Sequence, residues 1–364
     1  MDSLSAVSDL KANNPNVSVS QNEEQTIFLA QINNVKSFSQ SDIEELIKDE
    51  AVLQHYLIQP VMPVVMNNSP ALPFETIQES LAFASQQNLD MGACGLIYES
   101  GLTGIGNASL SRKMDHLISI MEHSIETGKQ GTEWEDRILH RQSHLIREAE
   151  QKGRIIPDNL INEIITNVTA IMEAKSAMEV VVANPTAGSC GTVAGVIQAV
   201  AGKCKVSREE LIKAYFAAGM AGVFFAEGPG FAAEEHGCQV ECGASAGMAA
   251  AAIVQLCGGS AAASLGAASL AIQNMIGLIC DPIADRVEAP CLGKNVSAAV
   301  NAYASATMVL AGYDTLIPYD QVLETVKRVG NLMPACHKCT GEGGLAITPA
   351  AKLLKKQLEN LKTR

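Results

Sequence analysis

Aromatic residues are scarce in this 364-residue chain: one Trp, six Tyr and eight Phe make up 4% of it. A core built around large rings is therefore excluded, and small residues must build it by close helix-on-helix approach. Positive charge is short as well, with 26 Lys and Arg against 39 Asp and Glu, a net charge of −13. No basic cluster stands out, so no nucleic-acid partner is expected, because neutralising phosphates needs a basic face. The first 25 residues hold neither an apolar leader core nor the Arg-rich character of a transit peptide, which makes a cytoplasmic protein the expectation. The stretch AAASLGAASLAIQNMIGLI at 261–279 is broken by Gln273 and Asn274 and is mostly Ala, Gly and Ser. It reads as a buried core helix, and no membrane partner is expected.

What the chain does have is organised. Residues 1–25 are rich in Ser and Asn and are expected to be disordered. An N-terminal region, 26–91, carries short apolar runs cut by Pro60, Pro63, Pro70 and Pro73 into interrupted helices. The remainder, 92–364, is expected to be one large helical domain. A charged helix is predicted over 132–152, ended by Gly153 and Pro157. The segments 193–202, 208–226, 244–257, 260–279, 295–311 and 319–332 are apolar over much of their circumference and predict buried helices. The fold class is thus mainly α: a compact domain of buried Ala/Gly-rich helices, with Gly-rich loops converging on a site at the helix ends.

Ten cysteines in a reducing compartment point to thiols or metal ligands rather than a disulfide framework. Cys238 lies in EEHGCQVECG, and Cys280 and Cys291 bracket CDPIADRVEAPC. If they converge, they are buried thiols, a disulfide pair, or three ligands of an iron–sulfur cluster with one iron left open, since a structural zinc wants four closed ligands. CHKC at 336–339 is a true CxxC without the second pair a zinc site needs, and is expected to be peripheral. ANPTAGSCGTVAGV at 183–196 is a Pro/Gly/Ser turn leading into a helix, suited either to holding an anion on backbone N–H groups or to close helix packing; GLTGIG at 101–106 carries the same two readings. Neither is a Walker or Rossmann turn. His140 and His144, four apart, fit a solvated helix face better than a metal pair. His236, beside Glu235 and two residues before Cys238, is a candidate base or a surface histidine.

The loops GLTG (101–104), NPTAGSCG (184–191), GCQVECGASAGMAAAAIV (237–254), NMIGLICDPIADRVEAPC (274–291), Asn295 and GEGGLAITP (341–349) together resemble, in order and spacing, the alpha chain of iron–sulfur-dependent L-serine dehydratase, also called L-serine ammonia-lyase. The resemblance covers about 92–356. It implies that Cys238, Cys280 and Cys291 hold a [4Fe–4S] cluster, and that L-serine is converted to pyruvate and ammonia without pyridoxal phosphate. It further implies that Thr103, Gly104, Thr186, Gly188, Ser189, Lys294 and Asn295 line the substrate pocket, and it makes 92–364 the catalytic domain. His236 is the tentative base.

The chain also departs from that family. Glu235 and His236 stand where small residues are usual, and Asp285 and Arg286 where a Gly-Leu pair is usual. These charges leave room for another hydroxy or thiol amino acid as substrate; a noncatalytic cluster-binding subunit is the further alternative. Members of the family also have a beta portion with an SSHT-like motif, absent from 1–91 here. A separate beta chain, or a homo-oligomer, is therefore the expected partner.

Overall fold

This computed structural model describes residues 17–21, 28–32, 67 and 69–362. The chain divides into two compact units, Met1–Val64 and Val65–Arg364. In the first, strands β1 (Val17–Gln21) and β2 (Phe28–Ile32) pair antiparallel, with Val17 opposite Ile32 and Gln21 opposite Phe28. The second strand corrects the interrupted helices expected from residue 26 onward. The first corrects the disorder expected for 1–25 over residues 17–21, where VSVSQ alternates apolar and polar residues with the period of a strand, a signal the Ser and Asn content overshadowed. The rest of 1–25 lies outside the described residues.

The second unit is helical. Local chemistry sets many of its starts: Thr76 and Ser207 form capping boxes with Glu79 and Glu210, and Ser260 accepts a hydrogen bond from the Ala263 amide. Such caps satisfy amides that have no partner inside the helix, at about 1 kcal/mol each. They open α1 (Ile77–Gln87), α7 (Arg208–Glu227) and α10 (Ala261–Gln273). Between the first two lie α2 (Met91–Thr103), α3 (Asn107–Gln130), α4 (His144–Gln151), α5 (Asn159–Ser176) and α6 (Cys190–Cys204). The one-turn α8 (Ala233–His236) leads to α9 (Cys242–Leu256), and α11 (Cys291–Leu310), α12 (Tyr319–Leu332) and α13 (Pro349–Lys362) complete the unit.

Helix α9 is the axis. Every residue from Cys242 to Val254 is buried, and the helix packs against α6, α7, α10 and α11. A helix apolar all round can only lie inside, as its Ala-rich sequence predicts. Small residues let the backbones approach: a Cβ on Gly195 of α6 would meet the backbone nitrogen of Val168 in α5 at 2.9 Å. The six predicted buried segments correspond to α6, α7, α9, α10, α11 and α12, although the fourth stops at Gln273 and its tail turns away.

The predicted charged helix over 132–152 survives only as α4. Residues 132–143 are irregular because buried carboxylates from elsewhere take their amides: Glu288 accepts from Ile138 and Leu139 at 2.9 and 2.8 Å, and Glu173 accepts from Gln142 and Ser143, both at 2.9 Å. His140 consequently lies outside any helix, while His144 stands beside Glu148. Among the described residues no helix is long and apolar enough to cross a membrane.

Candidate functional site

Four irregular segments meet at the N-terminal ends of α9 and α11. The first is the turn at 184–189, which feeds α6; the second is the short 3-10 turn Cys238–Val240 before α9; the third is the loop 280–290 before α11; the fourth is 336–345. Asn295, wholly buried on α11, ties the first to the third. Its Nδ2 donates to the carbonyls of Gly188 and Cys291, both at 2.8 Å, and its Oδ1 accepts from the Gly191 amide and the Thr192 hydroxyl, both at 3.1 Å. A carboxamide has two donors and two acceptor positions, so Asn295 is fully used by the chain itself.

Lys294 ties α11 to the 280 loop, donating from Nζ to the Ile279 carbonyl at 2.7 Å and to Asp281 Oδ1 at 2.6 Å. The other oxygen of Asp281 accepts from the Leu345 amide at 2.8 Å, which docks the GEGG turn on the same loop. Burial works against the Lys294 charge, but Cys238, Asp281 and Cys291 outweigh it and hold the ammonium above its ordinary pKa.

The expected ligands come together here. Cys238, Cys280 and Cys291 are all buried at the edge of one core, and negative charge on Cys238 acts on both of the others. Burial, then Cys238, pushes the Cys291 thiol up to about 12, and burial raises Cys280 as well. Two thiols not foreseen as neighbours join them. Cys242, at the first turn of α9, is hydrogen-bonded to Cys238, which together with burial raises its pKa. Cys339 of CHKC faces Cys280: the Cys280 amide donates to the His337 carbonyl at 2.9 Å, the Cys339 amide donates to the Cys280 carbonyl at 3.2 Å, and the two thiols interact by a hydrogen bond. CHKC is therefore not peripheral; the backbone pairing of Cys280 with Lys338 brings it in.

Thr186, Gly188 and Ser189 lie against this group. Thr186 Oγ1 donates to Glu241 Oε1 at 2.7 Å and sits 3.1 Å from Ser189 Oγ, and a Cβ on Gly188 would meet Glu241 Oε1 at 2.6 Å. Burial raises the Glu241 pKa, which the Thr186 hydrogen bond partly offsets. Glu241 escaped the sequence reading although it lies inside the 237–254 motif, because attention there fell on the cysteines. Its signal was position, one residue before an otherwise apolar helix. Lys175 was missed too, although a lone Lys in the apolar run AIMEAKSAM is a visible oddity. Its Nζ is buried without a hydrogen-bond partner, and its charge acts on Cys190, Cys291 and Glu241.

Other expected residues stand apart. Thr103 and Gly104 close α2: Thr103 Oγ1 donates to Glu99 O at 2.7 Å, and Gly104, at φ 72°, caps the helix. Among the described residues no hydrogen bond joins either to the thiols. His236 packs on Gly330 with Nε2 3.2 Å from Asn331 Oδ1, while Nδ1 is buried without a hydrogen bond. The side chain of Glu235 is 71% exposed. Arg286 pairs with Asp136, and Asp285 with Lys355 at 2.5 Å, so both unusual charges of the loop are engaged within the chain. Asp285 has φ 56°, the left-handed conformation that favours glycine.

Among the described residues no three Cys, His, Asp or Glu side chains close around a single ion. Thiols that hold a four-iron cluster each bind a different iron, so they need a wider arrangement than a single ion imposes. The site suits such a group in two respects. Its donors are several thiols of one patch, and the unpartnered Lys175 ammonium calls for an anionic neighbour that a thiolate-bound cluster would provide.

Comparison with known proteins gives the family. A profile of the family "Serine dehydratase alpha chain" matches residues 18–346. The "Probable L-serine dehydratase, alpha chain" of Bacillus subtilis (strain 168) is 33% identical over 285 residues, 78% of this chain and 95% of that protein. The "L-serine dehydratase, alpha chain" of Peptoniphilus asaccharolyticus is 32% identical over 248 residues, 68% and 85% of the two chains. "L-serine dehydratase 1" of Escherichia coli (strain K12) is 30% identical over 283 residues, 76% of this chain but 62% of that protein. With a family profile over most of its length and a relative 33% identical over 78% of it, the chain belongs to the serine dehydratase alpha chain family.

Proposed function

We propose that the protein is a lyase that dehydrates and deaminates L-serine to pyruvate and ammonia, with a [4Fe–4S] cluster held by Cys238, Cys280 and Cys291. The observation that carries this reading is the gathering of those three thiols beside Lys294, Glu241 and the 184–189 turn. When bound, the cluster would supply a Lewis-acidic iron that makes the substrate hydroxyl a better leaving group. No pyridoxal phosphate is needed for that chemistry.

The chain's own residues would do the rest. Lys294 and Lys175 offer positive charge to an amino-acid carboxylate and to the thiolates. Thr186 and Ser189 present hydroxyls that orient the substrate. Of the two groups that could accept the α-proton, Glu241 has the better placement: it touches Thr186 and Gly188, whereas His236 faces α12. The released aminoacrylate then tautomerises and hydrolyses to the keto acid. A reducing cytoplasm suits the donor set, since all ten cysteines are free thiols. A separate beta chain would complete the enzyme, a reading supported by the length of the Escherichia coli relative beyond the matched portion.

Anaerobic assay of the iron-reconstituted protein with L-serine, with and without a candidate beta chain, tests this. Pyruvate that tracks cluster content is the expected result. A retained cluster with no turnover in either condition would move the substrate to another hydroxy or thiol amino acid, or make the chain a noncatalytic cluster-binding subunit.

A further inference from the structure

We propose that Cys204 and Cys257 form a thiol–disulfide exchange site at the far ends of α6 and α9, oxidised by an acidic low-molecular-weight disulfide. Cys204 is the attacking sulfur and Cys257 the resolving one. The site is separate from the buried cysteine group and does not depend on a cluster being bound there.

Helix geometry puts the two thiols together. α6 and α9 each run for 15 residues and pack against each other. Both start at the buried cysteine group, where Asn295 accepts from the Gly191 amide of α6 and reaches the Cys242 sulfur of α9 at 3.9 Å. Equal lengths from a common start, at about 1.5 Å per residue, carry both helices to the same place roughly 20 Å away. Cys204 is the last residue of α6 and Cys257 the first beyond α9, and both are exposed. Their thiols interact by a hydrogen bond.

The two sulfurs are not equivalent. Lys203 and Lys205 flank Cys204 at the exposed end of α6. Their charges draw an anionic disulfide to this sulfur and offset the negative charge that the exchange spreads over three sulfurs in line. Partial burial, then Cys204, raises the Cys257 thiol, which makes it the poorer first attacker. Cys238, Cys280 and Cys291 are buried, so a reagent in solution meets the exposed pair first.

The exchange takes two steps. The Cys204 thiolate attacks one sulfur of the small disulfide; a protein–reagent S–S bond forms, the reagent's own S–S bond breaks, and one thiolate leaves and takes a proton. Cys257 then gives up its proton and attacks the Cys204 sulfur, which releases the second reagent thiol. The protein loses two electrons and two protons, and the small disulfide gains both as two thiols. The product is a bridge between the ends of α6 and α9.

The test uses the full chain reconstituted with iron and sulfide under anaerobic conditions, treated with oxidised glutathione as the acidic disulfide and with cystamine as the basic one. Trypsin and chymotrypsin together cut after Lys203, Lys205, Leu256 and Leu265, so the bridge is read under non-reducing conditions as residues 204–205 joined to 257–265. That linked pair is the expected main product, with iron content unchanged. Cys257→Ser should stop at a mixed disulfide on Cys204, and Cys204→Ser should react at residue 257 at least about tenfold more slowly. Replacing both lysines (Lys203→Gln with Lys205→Gln) should slow oxidised glutathione about fivefold at low salt and leave cystamine no slower. Parent protein that stops at the mixed disulfide would show that the sulfurs do not meet, and would overturn the proposal. Reaction first at the buried thiols, with loss of iron, would overturn it as well. The same bridge is expected in the iron-free protein, so failure of the cluster reading leaves this test standing.

Discussion

The two ends of α9 carry the same kind of side chain in opposite settings. At its N-terminal end Cys242 joins Cys238, Cys280 and Cys291 in a buried patch, framed by Asn295 and the Lys294–Asp281 pair. At its C-terminal end Cys257 meets Cys204 of α6, also thiol against thiol, but both are exposed and followed by solvent-facing turns. Thiols close together do not make a donor site. What differs is the frame: irregular loops whose backbone groups are claimed by a buried carboxamide and a buried ion pair, so that the sulfurs have fixed positions and little water.

The largest test of that difference is iron binding. Cys280→Ser should lower the iron retained after anaerobic reconstitution by at least about tenfold, whereas Cys257→Ser should retain all of it. The reverse pattern in iron and sulfide analysis would dissolve the comparison.

Removing the frame should cost almost as much without touching a thiol. Asn295→Ala strands the Gly191 amide and the Gly188 carbonyl in the interior. The expected loss is about 3–5 kcal/mol in urea unfolding of the iron-free protein, since each unpaired buried group costs about 1–3 kcal/mol. A loss below about 1 kcal/mol would mean that the loops hold themselves.

A milder change lies between a buried and an exposed thiol. Gly195→Ala puts a methyl group against the Val168 backbone midway along α6, between Cys190 and Cys204. Overpacking of this kind costs about 1–3 kcal/mol. Alkylation should quicken at the buried Cys190 and hardly change at Cys204, which is open already.

The smallest effect belongs to the loop's surface. Asp285→Gly relieves a left-handed residue, a gain of about 1 kcal/mol, and removes an exposed pair with Lys355. The unfolding midpoint should barely move, and iron content should stay whole. Loss of iron in this variant would show that the Asp285 charge belongs to the site after all.

Much of the helical core was legible because burial on all sides leaves an unambiguous trace: α7, α9 and α12 lie close to where their apolar stretches placed them. The 132–143 segment was not, because its amides are taken by Glu173 and Glu288, 30 residues and more away in sequence. The β1–β2 pair was overlooked although VSVSQ alternates, since Ser and Asn suggested disorder up to residue 25 and the later prolines suggested interrupted helix beyond it. At the site, Cys238, Cys280 and Cys291 were singled out through family motifs, whereas Glu241 lies unremarked inside the 237–254 motif and Lys175 and Cys339 belong to none. Their relevance arises from neighbours that only folding supplies.

Composition and periodicity alone determined that this chain is mainly helical, with small-residue packing in place of aromatic packing, because those properties are sums over local choices. Tertiary structure alone decided that Cys339 stands beside Cys280, that Asn295 is spent on tying the 184–192 segment to the start of α11, and that the Asp285 and Arg286 charges are partnered within the chain. Contacts between residues far apart in sequence depend on how helices stack, and no local pattern encodes that stacking.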